Sequence, residues 1–187
     1  MTQLLLFRGV FTQMAAALLT PETVPLYVQE RAADLFPDCT ALTASEIGGG
    51  NLNYAFEVTD GKKSVFVKQA PDFIKVFGPE AKLHRERMAL EVSVYRDFAV
   101  ALGESETAKF IPTIYHFDEE SMAFIMEFLG DLTLLDQVLV QPDFQGLGEA
   151  YTGMGHFMGK VHALTHSTAV SAERAATLHE TYSNPGM

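Results

Sequence analysis

Ile47-Gly48-Gly49-Gly50-Asn51-Leu52-Asn53-Tyr54-Ala55-Phe56 is the stretch on which the fold turns. Three glycines interrupt the chain. From Leu52 a period-two pattern begins, with Leu52, Tyr54, Phe56 and Val58 on one side and Asn53, Ala55, Glu57 and Thr59 on the other. That period is the signature of a strand with one buried face. Asp60-Gly61 follows, a dipeptide favoured in tight hairpins because both residues tolerate positive φ. Ser64–Ala70 then reads as the return strand, so glycine turn, strand, turn and strand form one unit. The unit is not a Walker loop, because no Gly-Lys-Ser/Thr follows the glycines and a strand, not a helix, comes next. The same context excludes a dinucleotide fingerprint.

Upstream, Thr20-Pro21-Glu22 predicts a helix start, with the helix running to about Leu35 and stopped by Pro37-Asp38. Ala41–Ile47 predicts a strand entering the glycine turn. Downstream, Pro71 to Pro79 reads as loop, and Ala81 to about Leu102 as a helix closed by Gly103. Strands are expected at Thr113–Phe117 and Met122–Phe128, joined by a turn at Asp118–Ser121. Gly130-Asp131 breaks the chain before helices at Leu132–Val140 and Phe144–Thr165. On the last helix Leu147, Tyr151, Met154, Met158 and Val161 recur at helical steps, beside a strip of Gly148, Thr152, Gly155, Gly159 and Ala163. Each glycine costs a helix about 1 kcal/mol, so the strip predicts close approach of another backbone. The element order is mixed α+β with an antiparallel sheet.

The bulk properties narrow the function. A chain of 187 residues, 48 % apolar and 20 % charged, has the size and composition for a packed core. Its net charge of −11 argues against a general nucleic-acid or anionic-membrane binder, which needs a basic face. The single cysteine, Cys39, excludes an internal disulfide framework, fits a reducing, cytoplasmic setting, and reads as a small buried apolar side chain. No apolar run reaches the roughly 18 residues of a membrane span. Met1–Pro21 is apolar with one base, Arg8, but lacks the clustered charge and long apolar core of a targeting segment. His156 and His162 lie six apart, off a common helix face, and the other histidines are scattered, so no metal site is expected.

Four features carry chemistry. The turn Gly48-Gly49-Gly50-Asn51 offers bare backbone N–H groups that can lie over phosphates. Alone it is equally a plain glycine turn. Lys68 shares a strand face with Phe66 and Ala70, where an ammonium either meets an anion or snorkels to water. Glu91 has Met88, Val94, Tyr95, Phe98 and Leu102 at helical steps from it, which puts a carboxylate on the apolar stripe. Such a carboxylate wants a cation, and Lys68, one element earlier, is the natural one. A strand lysine oriented by a helix glutamate is a recurring kinase device for holding nucleotide phosphates. Finally, Met126-Glu127-Phe128-Leu129-Gly130 is a strand end where the chain crosses toward helices.

Taken in order, these residues resemble the methylthioribose kinases. Ile47–Phe56 is similar to the family's glycine loop, Val67-Lys68-Gln69-Ala70 to its nucleotide-lysine strand, and Glu86-Arg87 with Glu91 to its lobe-orienting helix. Ile111-Pro112, Tyr115-His116-Phe117-Asp118 and Met126-Glu127-Phe128-Leu129 follow in the expected order. The resemblance covers about residues 20–187 and weakens after about 130. It implies a protein-kinase-like fold related to aminoglycoside phosphotransferases, with an N-lobe of antiparallel sheet plus helix over 20–126 and a hinge at 127–130. The start of a helical C-lobe would occupy 131–187, and 1–19 would be an N-terminal extension. The implied reaction moves the γ-phosphate of ATP, with Mg2+, to the 1-hydroxyl of 5-methylthioribose in methionine salvage. Gly48, Gly49, Gly50 and Asn51 would lie over the phosphates, Lys68 would contact them, and Glu91 would orient Lys68. Glu127, Phe128 and Leu129 would form the adenine hinge, through the backbone groups of Glu127 and Leu129. The full-length protein would be a homodimer, with no nucleic-acid or membrane partner.

The sequence departs from the family in one large respect. It has no His-Gly-Asp catalytic motif, and no Asp-x-Glu metal motif after one. Phosphoryl transfer needs an aspartate to orient the hydroxyl and carboxylates to hold Mg2+. The expectation is a kinase portion that ends before its catalytic residues and is inactive alone. The alternatives are a non-catalytic nucleotide-binding module, or a related kinase for choline, homoserine or an aminoglycoside.

Overall fold

The computed structural model describes residues 17–38, 41–140 and 147–183. Cys39, most of the 1–19 extension, the first three residues of the predicted last helix and the four C-terminal residues lie outside them.

Among the described residues five strands form one antiparallel sheet in the order β1-β2-β3-β5-β4. They are β1 (Thr43–Glu46), β2 (Tyr54–Thr59), β3 (Ser64–Gln69), β4 (Ile114–Asp118) and β5 (Ala123–Glu127). The predicted alternation sets the register: Phe56 faces Val67 and Val58 faces Val65 across β2 and β3. All four are buried. The β2–β3 hairpin turns at Gly61, φ +87°. There the Asp60 carboxylate accepts the Lys62 and Lys63 amides, both at 2.8 Å. Those bonds hold its pKa below the ordinary aspartate value.

Helix α1 (Val24–Arg31) lies on one face of the sheet. Its Val24, Tyr27 and Val28 join Phe56, Val58, Val65, Val67, Ala123 and Ile125 in the larger core. The helix stops at Ala32, not at about Leu35. Ala32 leaves helical geometry, and residues Ala33–Leu35 make a 3-10 turn that delivers Phe36 into the core.

Helix α2 (Arg87–Leu102) lies on the other face, with Met88 and Val92 packed on Ala70 and Phe124. The expected start at Ala81 is six residues early. Phe73 bridges Lys82, and the Ile74 and Leu83 amides donate to Ala81 and Asp72 carbonyls. This local hairpin uses the backbone groups a first helical turn would need, so tertiary pairing overrides helix propensity.

The last part is helical: α3 (Glu104–Thr107), α4 (Leu135–Leu139), α5 (Leu147–Thr165) and α6 (Ala172–Tyr182). Helix α6 was not predicted, although Ser171 caps it by accepting the Arg174 amide at 3.1 Å. Helix α5 docks on α2 through Phe157, whose ring meets Phe98 edge-on at 5.3 Å and Phe110 at 5.1 Å. Lys160 adds an ion pair to Glu106 of α3. The glycine strip does not behave as expected. Among the described residues, a Cβ on Gly148, Gly155 or Gly159 would meet nothing within 4 Å. Tyr151, Met154 and Met158 on the neighbouring flank are exposed.

One contact ties the first described residues to the sheet. Gln69 on β3 is 1 % exposed. Its Oε1 accepts the Leu19 amide at 2.7 Å, and its Nε2 donates to the Ala17 and Ser121 carbonyls. A buried carboxamide satisfied in this way ties the incoming chain to both β3 and the β4–β5 turn.

Candidate functional site

Strand β3 positions Lys68 opposite Ala55 of β2 and Phe124 of β5, on the α2 face of the sheet. Its Nζ donates to Oε1 and Oε2 of Glu91 at 2.6 and 2.8 Å. The pair anticipated from sequence is therefore formed. Neither partner is deeply buried: their side chains are 25 % and 32 % exposed. Glu91 sits beside the buried residues Met88 and Val92 rather than among them. The Lys68 ammonium also lies 5.9 Å from the Phe124 ring centroid, so one side of it is apolar. Tyr95, one turn beyond Glu91, has its pKa raised by burial and then by the Glu91 charge.

The glycine turn joins β1 to β2. Ile47 continues the ladder by donating to Ala55 at 2.8 Å. Gly49 has φ +85°, the left-handed region that favours glycine. A Cβ on Gly50 would come within 3.3 Å of the Asn53 carbonyl, a tight fit, whereas one on Gly48 would meet nothing within 4 Å. The Asn51 carbonyl accepts from the Val76 amide at 3.2 Å, so the turn is tied to the loop after β3.

At the other end of the sheet, β5 ends at Glu127. The Glu127 amide donates to Thr113 at 2.8 Å, and its carboxylate accepts the Thr113 amide at 3.1 Å. That amide is therefore already used by the sheet. Phe128 folds over Gly130, where a Cβ would lie 2.4 Å from the ring. Leu129 is exposed, and its carbonyl accepts from Leu132.

Sequence reasoning missed Arg87. It starts α2 one turn before Glu91, and its guanidinium reaches the turn. Nη2 donates to the Asn53 side-chain oxygen at 2.8 Å and to the Leu52 carbonyl at 3.3 Å. Nη1 donates to the carbonyls of His84, Pro71 and Leu83 at 2.6, 3.0 and 3.2 Å. Burial pulls its pKa below the ordinary arginine value. The available signal was the four-residue spacing of Arg87 and Glu91.

Among the described residues, no group of three or more His, Cys, Asp or Glu converges on a point that could hold a metal ion. Nor, among them, is any helix long and apolar enough to cross a membrane.

No protein-family model matches the chain. Individual relatives do. A methylthioribose kinase of Bacillus cereus strain AH820 is 31 % identical over 169 residues, which is 90 % of this chain and 41 % of the relative. Methylthioribose kinases of Bacillus mycoides strain KBAB4 and Bacillus thuringiensis strain Al Hakam are each 30 % identical over the same extent. The chain thus spans about two fifths of the length of the curated relatives it matches, and over nine tenths of its own length it is similar to methylthioribose kinases, consistent with an N-terminal portion of such a protein.

Proposed function

We propose that this chain is the nucleotide-holding part of an ATP-dependent small-molecule kinase whose acceptor is the 1-hydroxyl of 5-methylthioribose. The Lys68–Glu91 pair carries the reading. A lysine fixed by a carboxylate on a neighbouring helix presents a localised positive charge beside a turn rich in backbone N–H groups. That combination suits the phosphates of a nucleotide. Gly48, Gly49, Gly50 and Asn51 cover the phosphates, Lys68 pairs with them, and Glu91 orients Lys68. The Glu127 amide is already bonded to Thr113 and the Leu129 carbonyl to Leu132, so we assign the Glu127 carbonyl and the Leu129 amide to the adenine edge. Bound ATP supplies the phosphoryl group.

The residues described do not fit Mg2+. The carboxylate nearest Lys68 is Glu91, and both its oxygens are engaged by Nζ. We assign no Mg2+ ligand, and no aspartate to orient the acceptor hydroxyl, among the described residues. The whole protein is read as a cytoplasmic homodimer of methionine salvage, with no nucleic-acid or membrane partner. A non-catalytic nucleotide-binding module with the same sheet and Lys68–Glu91 pair is the alternative.

Calorimetric titration of the 187-residue chain with ATP tests the reading. Binding is expected, and a chain that binds no ATP overturns it. A coupled ATP-consumption assay with 5-methylthioribose should show no turnover above background. Robust turnover, abolished by Lys68→Met, would mean that the catalytic carboxylates lie within this chain.

A further inference from the structure

We propose that Arg87 is a positioning residue that couples the glycine turn to the Lys68–Glu91 pair, holding the turn in register for the phosphates of a nucleoside triphosphate. The inference rests on the nucleotide reading above and adds to it a residue with no expected ligand contact.

Three observations carry it. First, one guanidinium spans four segments: the end of the turn (Leu52, Asn53), the loop after β3 (Pro71), the chain entering α2 (Leu83, His84), and α2 itself. Second, Arg87 and Glu91 are one helical turn apart on α2, so the bonds to the turn and to Lys68 start from the same rigid rod. Third, the glycines themselves are not held by packing. Gly49 adopts positive φ, and among the described residues a Cβ on Gly48 would meet nothing within 4 Å, so the turn depends on hydrogen bonds: Ile47 to Ala55 at its start, Val76 to Asn51 in its middle and Arg87 at its end. Asn53 closes the circuit: its side chain accepts from Arg87, and its carbonyl is the atom that a Cβ on Gly50 would crowd.

The guanidinium geometry matters more than its charge. A planar fork reaches acceptors on two sides at once, whereas an ammonium is a compact point on a flexible stem. Among the described residues Arg87 Nε is buried and has no acceptor, while both Nη atoms are used. Replacement by lysine keeps the charge and loses the bridge.

The test uses the full 187-residue chain with two variants, Arg87→Lys and Asn53→Ala, which cut the same link from opposite ends. Hydrogen exchange without ligand is expected to quicken at residues 48–53 by about tenfold or more in both, while the β2–β3 amides stay protected. Titration is expected to show affinity for ATP weakened about tenfold and affinity for adenosine unchanged, because only the phosphates meet the turn. The double variant should be no worse than either single one. A general loss of packing would weaken ATP and adenosine together and would overturn the inference. So would unchanged exchange at the turn in both variants, whether or not ATP binds. A wild-type chain that binds no ATP overturns the nucleotide reading instead, and the exchange result then reports on the link alone.

Discussion

Lys68 Nζ is within 2.8 Å of both carboxylate oxygens of Glu91, yet about a quarter of the lysine side chain remains open to solvent. Geometry this close with exposure this large means that the pair contributes little to folding, since exposed ion pairs are worth about 0–1 kcal/mol. Its value lies in orientation. Lys68→Met should therefore leave the melting temperature nearly unchanged and weaken ATP by roughly 1.5–3 kcal/mol, the worth of a charge-assisted hydrogen bond. Calorimetric titration beside a thermal melt checks both halves. Unchanged affinity would remove Lys68 from the site.

Glu91→Gln should act through Lys68. The neutral amide still accepts a hydrogen bond but no longer fixes the ammonium by charge. The double variant with Lys68→Met is expected to bind ATP no worse than Lys68→Met alone, because residues that work as a unit are not additive. Fully additive losses would show that Glu91 acts by another route.

The two sides of α5 should respond differently to truncation. Phe157 is wedged between Phe98 and Phe110, whereas Met158 is 48 % exposed. Phe157→Ala is expected to cost about 2–3 kcal/mol, somewhat below the range for a fully buried phenylalanine. Met158→Ala should cost no more than about 0.5 kcal/mol. Urea unfolding of both variants decides the matter. Equal losses would mean that the exposed flank is packed in solution.

Acid should loosen the α3–α5 contact in a defined window. Hydrogen bonds from Lys109 and then Lys160 lower the Glu106 pKa from 4.5 to about 2. A depressed carboxylate contributes stability above its unfolded pKa, and that contribution is lost as pH falls toward the folded value. Docking of α5 should thus weaken between about pH 4.5 and about pH 2. Lys160→Met should remove part of that dependence, read as a smaller acid-induced change in α5 amide exchange. An unaltered pH profile in Lys160→Met would discount the pair.

The sheet was legible because period-two alternation at Tyr54–Thr59 and a turn dipeptide at Asp60-Gly61 are local signals. So was the Lys68–Glu91 pair, since a charge on an otherwise apolar face needs a partner. The start of α2 was not, because Ala81–Glu86 has helical residues but spends backbone bonds on the hairpin with Asp72 and Ile74. Helix α6 carries a local signal too, the Ser171 cap ahead of the run Ala172–Tyr182. The small-residue strip on α5 led to a packing expectation that the described residues do not fulfil. Arg87 showed only as a residue four positions before Glu91. Four of its five acceptors are backbone carbonyls, and a carbonyl leaves no trace in residue type.

The Gln69 carboxamide has a consequence for anyone who shortens this chain. The family resemblance read from the sequence covers about residues 20–187, which invites a cut at Thr20. Such a cut removes the Leu19 amide and the Ala17 carbonyl and leaves Gln69 with the Ser121 carbonyl alone. Each abandoned polar group in a dry site costs about 1–3 kcal/mol, comparable with losing a core methyl group or two. A recombinant version opening at Thr20 should therefore melt well below one opening ahead of Ala17.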